Sequence, residues 1–333
     1  MAPITSDLSA YVLSESESYR IFIQEVIPEE LGDLDASESP PVSGKPLAVL
    51  VVGQTGAGKT RIAPILKEIM RAQRSGPAHF IADTYKTYHP AYSRLIAEEP
   101  ALASPATGTD ARRWLSRAAA YAVERRVDVL VESACRHPQD FAGLAQAFHD
   151  GGYRVEVVIL AVPEAISRLG ILTRFYERLP EAGSRNLPIR LTPRKVHDDS
   201  YRGLVDAAAF LDESSAVDQV VIVRRNNIVA FANERVNGAW KEPARATDSL
   251  LLERRRPLPE RERLLAKEAL KKLRARNEPG LAPQLQEVAA LLEFAADGSD
   301  GRQLRPLILP SIEADTSGQD GPEPDLRLGL DLP

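Results

Sequence analysis

The sequence is poor in cysteine, in aromatic side chains and in long apolar runs. Its single cysteine, Cys135, cannot form an internal disulfide, which excludes a disulfide-framed scaffold and fits a reducing compartment. No run approaches the roughly 18 apolar residues of a membrane span, and the N-terminus lacks the basic and apolar regions of a signal peptide. We therefore expect a cytoplasmic protein without a membrane partner.

A basic excess is also missing, although the chain is long enough to form a sizeable core. Its 333 residues include 42 Lys and Arg against 47 Asp and Glu, which gives a formal net charge of −5. No overall basic field attracts nucleic acid, so no nucleic-acid partner is expected. Hydrophobic residues at 44% and charged residues at 27% lie near the averages of globular proteins, which excludes wholesale disorder.

Acidic and proline-rich ends enclose a middle with a different pattern. Residues 1–40 contain nine acidic residues and one basic residue around an apolar stretch, Tyr19 to Ile27, which predicts one helix before a Ser-Pro-Pro linker. Beyond the middle, a charged helix is predicted over Glu260 to Arg276 and another helix over 283–296. The predicted organisation has four parts, which are an N-terminal helix and linker (1–44), a core (45–240), a charged helical extension (241–296) and a disordered tail (297–333).

The late charged segment is strongly basic. Residues 253–276 hold ten basic residues against four acidic ones. Such a helix can bind nucleic acid or a membrane surface, but its basic face is more often solvated or paired with acidic groups of the same chain or of a partner. We adopt the second interpretation, because both ends of the chain are acidic.

Short apolar runs alternate with helical patterns in the core. The runs, each typical of a strand buried on both faces, are Leu47 to Val52, Phe80 to Ala82, Val127 to Val131 and Val155 to Val162. The helical patterns that separate them cover 59–74, 110–126 and 138–150. This alternation predicts an α/β fold with a mostly parallel sheet flanked by helices. A later pair of runs, joined by Arg224 to Asn227, is typical of a hairpin at a sheet edge.

A glycine-rich motif follows the first strand and precedes the first helical pattern. It matches G-x-x-x-x-G-K-[ST] and consists of Gly53, Gln54, Thr55, Gly56, Ala57, Gly58, Lys59 and Thr60. The glycines allow backbone N–H groups to cradle phosphates at a helix N-terminus. Lys59 adds a charge for the β and γ phosphates, and the Thr60 hydroxyl is a ligand for Mg²⁺. The motif therefore predicts a P-loop nucleotide site.

The other motifs that GTPases need beside a phosphate loop are either missing from this sequence or misplaced in it. An N-K-x-D base-reading motif does not occur, and D-x-x-G occurs only at 140–143, inside a helical pattern. A GTPase switch is therefore not expected, and a kinase or ATPase that uses ATP and Mg²⁺ is left. Pro64 lies about one turn into the helix after the loop, where it is expected to bend that helix.

A carboxylate lies where phosphoryl transfer to a small molecule needs a base. Asp83 directly follows the apolar run Phe80 to Ala82. The carboxyl end of a strand beside the phosphate loop is where an α/β sheet places its chemistry. A second interpretation stays open at this point, in which Asp83 only caps a helix that begins at Thr84.

Five motifs in chain order resemble those of the zeta toxin family of bacterial P-loop kinases. The resemblance extends from about residue 47 to residue 230. The motifs are the phosphate loop at 53–60, the D-[ST]-[FY]-[KR]-x-x-H-P segment at 83–90, the apolar strand ending in Glu132, Ala161-Val162-Pro163 followed by Arg174, and Arg190-Leu191-Thr192-Pro193 followed by His197-Asp198.

The resemblance implies a function and roles for several residues. Members of the family transfer phosphate from ATP to the 3′-hydroxyl of the amino sugar of UDP-N-acetylglucosamine, which inhibits cell-wall synthesis until a small antitoxin protein blocks the nucleotide site. By resemblance, Asp83 accepts the proton of the sugar hydroxyl, and Lys59 and Thr60 hold the triphosphate and Mg²⁺. Arg174 and Arg190 are then the two guanidinium groups that neutralise charge on the transferring phosphoryl group.

The sequence departs from the family pattern on the acceptor side. The family commonly reads E-x-T-x-R after the strand, and Glu132 and Arg136 match it as substrate-binding residues, whereas Ala134 replaces the threonine. An acidic residue that contacts the sugar nucleotide in the family falls on Ser116 in a gap-free alignment, and Asp110 is a possible substitute. Such polar mismatches change acceptor selection by orders of magnitude.

Two further interpretations are therefore kept beside the sugar-nucleotide kinase. One is the same chemistry on another nucleotide or sugar nucleotide, for example NAD, and the other is an interaction module that binds ATP without transferring phosphate. Among the residues without an assigned role, Arg178 and Arg185 are expected in surface salt bridges. His197 is expected to be structural, and Cys135 to be a small buried hydrophobe.

Overall fold

A sheet of eight strands forms the centre of the described part of the chain. The computed structural model describes residues 8–32, 44–74, 76–184, 191–278, 280–294 and 302–307. The strands are β1 (Leu47–Val52), β2 (Ala78–Ile81), β3 (Val129–Ser133), β4 (Arg154–Leu160), β5 (Gln219–Val223), β6 (Ile228–Val236), β7 (Ala239–Trp240) and β8 (Arg305–Pro306). Their order across the sheet is β2-β3-β1-β4-β5-β6-β7, with β8 paired to β6.

The first five strands are parallel, which confirms the predicted α/β class. β1 pairs with β3 and β4, so that Val52 lies opposite Ser133 on one side and Ile159 on the other. All six residues of β1 are buried, as expected for a strand covered on both faces. Because parallel strands end at the same edge of a sheet, the segments after β1 to β5 lie along one edge.

Ten α-helices are described around the sheet. They are α1 (Glu15–Ile21), α2 (Lys59–Gln73), α3 (Tyr92–Glu98), α4 (Pro100–Arg125), α5 (Pro138–Asp150), α6 (Glu164–Ser184), α7 (Arg194–Glu213), α8 (Ala246–Arg255), α9 (Glu260–Arg274) and α10 (Leu281–Phe294). Short 3-10 helices cover Leu8–Tyr11 and Thr84–Tyr88. Helix α2 is continuous through Pro64, and α4 begins at Pro100 rather than at 110, with proline in the first-turn position that suits it.

Alternate residues of β1 divide the core into two clusters, one on each face of the sheet. Ala48, Leu50 and Val52 pack with α4, α5, α7 and the N-terminal helix. Leu47, Val49 and Val51 pack with α2, α6, α9 and α10. The strand period of two therefore supplies both helix layers from a single six-residue strand.

The N-terminal segment belongs to the first of these clusters. Helix α1 continues as a π-helical stretch, Phe22–Leu31, in which Phe22, Val26 and Leu31 are buried. The indole Nε1 of Trp114 in α4 donates to the Ser18 carbonyl at 2.8 Å. Ala246 and Leu250 of α8 lie in the same cluster. The packed core therefore crosses both predicted boundaries, at residue 44 and at residue 240.

The predicted hairpin is confirmed, and the predicted tail is corrected in part. β5 and β6 are antiparallel and enclose the turn from Arg224 to Asn227. Residues 295–301 and 308–333 lie outside the described residues, and so does most of the segment expected to be disordered. Within it, however, Arg305–Pro306 pairs with Ile228 and Val229, so these two residues extend the sheet instead.

The basic segment pairs partly with acidic groups of its own chain, as predicted. Glu253 is fully buried and forms salt bridges with Arg224 at 2.7 Å and Arg256 at 3.2 Å. Arg256 also pairs with Glu262 at 2.7 Å, whereas most cations of α9 face solvent. In the described part of the chain, no helix combines the length and apolar character needed to cross a bilayer.

Candidate nucleotide and acceptor site

One large cleft of about 770 Å³ opens at the edge where the parallel strands end. It is lined by the phosphate loop after β1, by Asp83 after β2, by residues 132–137 at the end of β3, by α6 after β4 and by Arg225 after β5. Helices α4, α5 and α9 complete its walls. Five strand ends thus contribute to one site, as the sheet topology requires.

The phosphate loop has the backbone that its glycines were predicted to allow. Gly56 and Gly58 have φ of 82° and 104°, in the left-handed region that favours glycine. A Cβ at Gly56 would also overlap with the carbonyl oxygen of Ser167 in α6. Thr55, Gly56, Gly58, Lys59 and Thr60 line the cleft.

Three members of the loop lie beneath it rather than on the cleft. Gly53, Gln54 and Ala57 are buried, so the Gln54 side chain does not face the cleft, and the predicted nucleotide contacts of these three residues would come from their backbone. Gln54 Nε2 donates to the Val162 carbonyl at 2.7 Å, and its Oε1 accepts from Arg254 Nη2 at 3.3 Å. The Gln54 amide therefore has a structural role that the motif alone does not indicate.

Contacts from α7 and α8 hold the back of the loop. The Thr55 amide donates to Ser200 Oγ at 3.2 Å. Arg254 of α8 lies 3.7 Å above the Tyr201 ring and donates to the Tyr201 carbonyl at 2.7 Å. Burial lowers the pKa of Arg254 to about 10, so the side chain is still a cation near neutral pH.

Lys59 is the cation at the floor of the cleft. Its Nζ donates to the Gly53 carbonyl at 2.7 Å. Burial lowers the pKa of Lys59, and the nearby carboxylates Asp83 and Glu132 act in the opposite direction. The amine therefore lies within electrostatic range of both predicted acceptor-side carboxylates.

Asp83 faces the cleft instead of capping a helix. It occupies the position before the 3-10 helix Thr84–Tyr88, but its side chain makes no capping hydrogen bond there. The carboxyl side chain is 74% exposed, and Lys86 Nζ donates to its Oδ1. The alternative in which Asp83 only caps a helix is therefore not supported.

Of the two arginines predicted to contact the transferring phosphoryl group, only Arg174 lies within the described residues. Arg174 of α6 lines the cleft, and burial together with neighbouring Arg178 lowers its pKa. Arg178 lines the same cleft, which differs from the surface salt bridge expected for it. Arg190 and Arg185 lie outside the described residues.

The end of β3 forms the acceptor side. Glu132 is 5% exposed and lies 2.9 Å from His79 Nε2, and Arg136 lines the cleft beside Ala134. Cys135 is buried between them with φ of 50°. Burial raises the pKa of Cys135 to about 12, so the thiol is protonated at neutral pH and is not a nucleophile. The prediction of a small buried hydrophobe is confirmed.

The predictions for α4 need correction. Ser116 is exposed and does not line the cleft, because it lies on the solvent face of the helix. Asp110 is fully buried, and its carboxylate accepts from the Leu13 amide at 3.1 Å and from Arg113 at 3.2 Å. Asp110 therefore anchors the N-terminal segment and is not available to an acceptor.

Several cleft residues had no role assigned from sequence. Arg112 lines the cleft one turn before Ser116 and pairs with Asp140 of α5 at 3.2 Å. Arg225 lines it from the β5–β6 turn, and Leu265 lines it from α9. Sequence offered a signal only for Arg225, which follows a strand that ends at the same edge as the phosphate loop.

His197 is structural, as expected. It is 1% exposed, with Nε2 2.8 Å from Ser167 Oγ and Nδ1 3.1 Å from Asp198 Oδ1. Burial lowers the pKa of His197. Its neighbours Glu164 and Asp198 resemble a metal-ligand group, but Arg168 pairs with both carboxylates and already supplies the positive charge.

The chain is similar to one curated toxin in sequence and to solved structures, of which the PezAT structure has the same fold. Toxin PezT of Streptococcus pneumoniae serotype 4 is 28% identical over 190 residues, which are 57% of this chain and 72% of that protein. A structure from the PezAT chromosomal toxin–antitoxin system of Streptococcus pneumoniae matches with a TM-score of 0.60 at 19% identity, covering 79% of this chain and 98% of that chain. The AvrRxo1-ORF1:AvrRxo1-ORF2 complex matches with a TM-score of 0.45 at 15% identity, covering 86% and 88%.

The family suggested by the five motifs is also matched directly. The sequence model described as zeta toxin matches residues 33–237, which are more than half of the chain and include the phosphate loop, Asp83 and the end of β3. The chain belongs to the zeta toxin family.

Proposed function

We propose that the chain is an ATP-dependent kinase that phosphorylates a hydroxyl group of a small nucleotide-type acceptor. One observation carries the proposal. The phosphate loop and the exposed carboxylate of Asp83 line the same cleft, after strands β1 and β2. A kinase needs this combination, because the loop holds the donor phosphates while the carboxylate accepts the proton of the acceptor hydroxyl.

The residues of the loop suit a bound triphosphate. Lys59 exchanges its bond to the Gly53 carbonyl for phosphate oxygens, and the left-handed glycines leave room for backbone N–H groups to point into the cleft. Thr60 Oγ1 is the side-chain ligand offered to Mg²⁺. ATP supplies the phosphoryl group, and Mg²⁺ neutralises charge on its oxygens.

Asp83 has the role of general base in this proposal. Lys86 Nζ donates to the Asp83 carboxylate, which orients the group that is to accept the hydroxyl proton. Arg174, with Arg190 as its predicted counterpart, stabilises negative charge on the transferring phosphoryl group. Both arginine assignments follow the family motif, and Arg174 is also supported by its position in the cleft.

The acceptor side has three cations, two of them paired with carboxylates of the cleft, and we take these cations to favour an acceptor that carries phosphate groups. Lys86, Arg112 and Arg136 line this part of the cleft. UDP-N-acetylglucosamine is our leading candidate, phosphorylated at the 3′-hydroxyl of its amino sugar with inhibition of cell-wall synthesis as the result. Family membership and the places of Glu132 and Arg136 support this choice. Ala134 on the same wall keeps a second candidate open, another nucleotide such as NAD, because Ala134 lacks the hydroxyl that accompanies the amino-sugar substrate in the family pattern.

A toxic kinase also needs control. We propose a protein antitoxin that covers the nucleotide site, since the matched Streptococcus pneumoniae structure belongs to a toxin–antitoxin system. ATP and sugar nucleotides occur together in the cytoplasm, so the predicted cytoplasmic location goes with this proposal.

The test is phosphate transfer with a matched pair of variants. Incubation with ATP, Mg²⁺ and UDP-N-acetylglucosamine should give a sugar nucleotide heavier by one phosphate in mass spectrometry. Asp83→Asn should lower kcat by roughly 10²- to 10⁴-fold while ATP still binds, because general-base catalysis contributes about that much. Asp206→Asn, on the exposed face of α7, is the control and should leave kcat unchanged.

Other outcomes separate the alternatives. Labelled ATP with NAD or a metabolite pool should reveal a different acceptor if UDP-N-acetylglucosamine gives no product. Normal ATP binding without transfer to any acceptor, and without an effect of Arg174→Ala, would contradict the kinase and favour an ATP-binding interaction module.

A further inference from the structure

Arg225 occupies a position at the cleft that the family motifs do not explain. It lies in the turn between β5 and β6 and lines the cleft beside the phosphate loop. A Cβ placed on Gly58 would lie 3.4 Å from Arg225 Nε, and one placed on Gly170 would lie 3.1 Å from its Nη2. The guanidinium is therefore wedged between the loop and helix α6.

The turn that carries Arg225 is fixed on both sides. The Asn227 amide donates to the Arg224 carbonyl at 2.9 Å, and the Arg224 amide donates to the Ile228 carbonyl at 2.8 Å. The Arg224 side chain forms its buried salt bridge with Glu253 of α8. Arg225 is thus presented to the cleft by a constrained backbone rather than by a loose loop.

The charge of Arg225 is poorly compensated where it lies. Among the described residues, its Nε is buried without a hydrogen-bond partner. Burial and the nearby Arg61 both lower the pKa of Arg225, whereas Glu262 acts in the opposite direction. Glu262, however, already pairs with Arg256 at 2.7 Å. A desolvated guanidinium beside a second arginine is stabilised when an anion binds between them.

The order of the strands indicates which part of a bound nucleotide Arg225 faces. β2 and β5 lie on opposite sides of β1, so Asp83 and Arg225 flank the phosphate loop from opposite directions. Asp83 marks the acceptor side in the proposed function. Arg225 is therefore on the donor side, away from the phosphoryl group that is transferred.

We propose that Arg225 is a further nucleotide-binding residue, which donates to the polyphosphate chain of the donor from the β5–β6 turn. This inference rests on the proposed use of a nucleoside triphosphate. It makes Arg225 a determinant of donor affinity, distinct from Arg174 at the transferring phosphoryl group. A variant should change the dissociation constant and the KM for ATP with little change in kcat.

Calorimetric titration of the full chain with two probes tests the inference. Mg²⁺–ATP carries a base, a ribose and phosphates, whereas Mg²⁺–tripolyphosphate carries phosphates alone. Arg225→Ala should weaken both by roughly 10- to 100-fold, the range expected for a lost charge-assisted hydrogen bond. Arg225→Lys should recover part of the loss, because it restores the charge without the fork. Asn226→Ala, the exposed neighbour in the same turn, should bind both probes like the unmodified chain.

Two results would overturn the inference. If Arg225→Ala binds ATP more weakly but tripolyphosphate as the unmodified chain does, Arg225 contacts the base, near the 58% exposed Leu265 of α9. If Arg225→Ala binds both probes as tightly as the unmodified chain does, Arg225 is not part of the nucleotide site. Arg225→Gln decides the matter if the alanine variant melts early. Normal ATP binding by the unmodified chain without phosphate transfer would contradict the proposed kinase and still leave the Arg225 comparison decisive.

Discussion

The buried charge of Lys59 lowers the stability of the folded protein. Burial lowers its pKa from 10.5, so between the folded value and 10.5 the unfolded chain binds more protons than the folded one. The free energy of unfolding therefore rises with pH through that window. Below the folded pKa, the full cost of burying the charge is present.

Lys59→Met should therefore stabilise the protein while removing its function. The substitution keeps the length of the side chain without the charge, so the melting temperature near pH 7 should rise by roughly 2–4 °C, about 1 kcal/mol for a chain of this size. The gain should shrink as pH approaches 10.5, because Lys59 of the unmodified protein is then deprotonated and no longer buries a charge. Added Mg²⁺–ATP should no longer raise the melting temperature of the variant.

Melting curves at several pH values, recorded beside Lys271→Met, provide the check. Lys271 is an exposed lysine of α9 and should show neither effect. A fall in melting temperature for Lys59→Met at neutral pH would contradict the assigned burial cost.

The position of a site residue could be predicted from the sequence where the end of a strand determines it. It could not be predicted where it depends on which face of a helix turns towards the cleft. Lys59 and Asp83 follow strands and Glu132 lies near the end of one, so the strand ends determine their position. Ser116 depends on the rotation of α4, where each residue turns the face by about 100°. Ala111 and Leu115 line the cleft, whereas Ser116 is one residue further round the helix and faces solvent.

At the scale of elements, α8 acts as a brace behind the phosphate loop. Arg254 is 7% exposed, stacks on Tyr201 of α7 and donates to Gln54 of the loop. The strands and most helices could be predicted from periodicity because those patterns are local. The brace could not be predicted, since Arg254 and Gln54 are 200 residues apart in the chain.

Arg254→Ala should loosen the loop as well as the fold. Loss of the cation–π contact and two hydrogen bonds should lower the free energy of unfolding by about 2–4 kcal/mol. KM for ATP should rise several-fold because Gln54 loses one of its two partners. Chemical denaturation and steady-state kinetics measure the two effects, with the exposed neighbour Arg255→Ala as the matched control. A stability loss with an unchanged KM would limit Arg254 to a structural role.

At the scale of the whole molecule, changes in sequence character and the packed core have different boundaries. The acidic N-terminal stretch differs in composition from the middle, which is why the sequence predicts an appendage. Its apolar residues are spaced to bury one face, however, and the Tyr88 hydroxyl after β2 donates to Glu30 at 2.7 Å. The N-terminal segment therefore supports the region that presents Asp83.

This integration gives a prediction with a control one residue away. Phe22 is 4% exposed within the first core cluster, whereas the next residue, Ile23, is 42% exposed. Phe22→Ala should lower the free energy of unfolding by about 3–5 kcal/mol, because it leaves a cavity against the sheet. Ile23→Ala should change it by less than about 1 kcal/mol, as an exposed substitution does. If both substitutions change the free energy of unfolding only slightly in denaturant titrations, the segment is an appendage. If both lower it strongly, Phe22 and Ile23 are both packed against the rest of the protein.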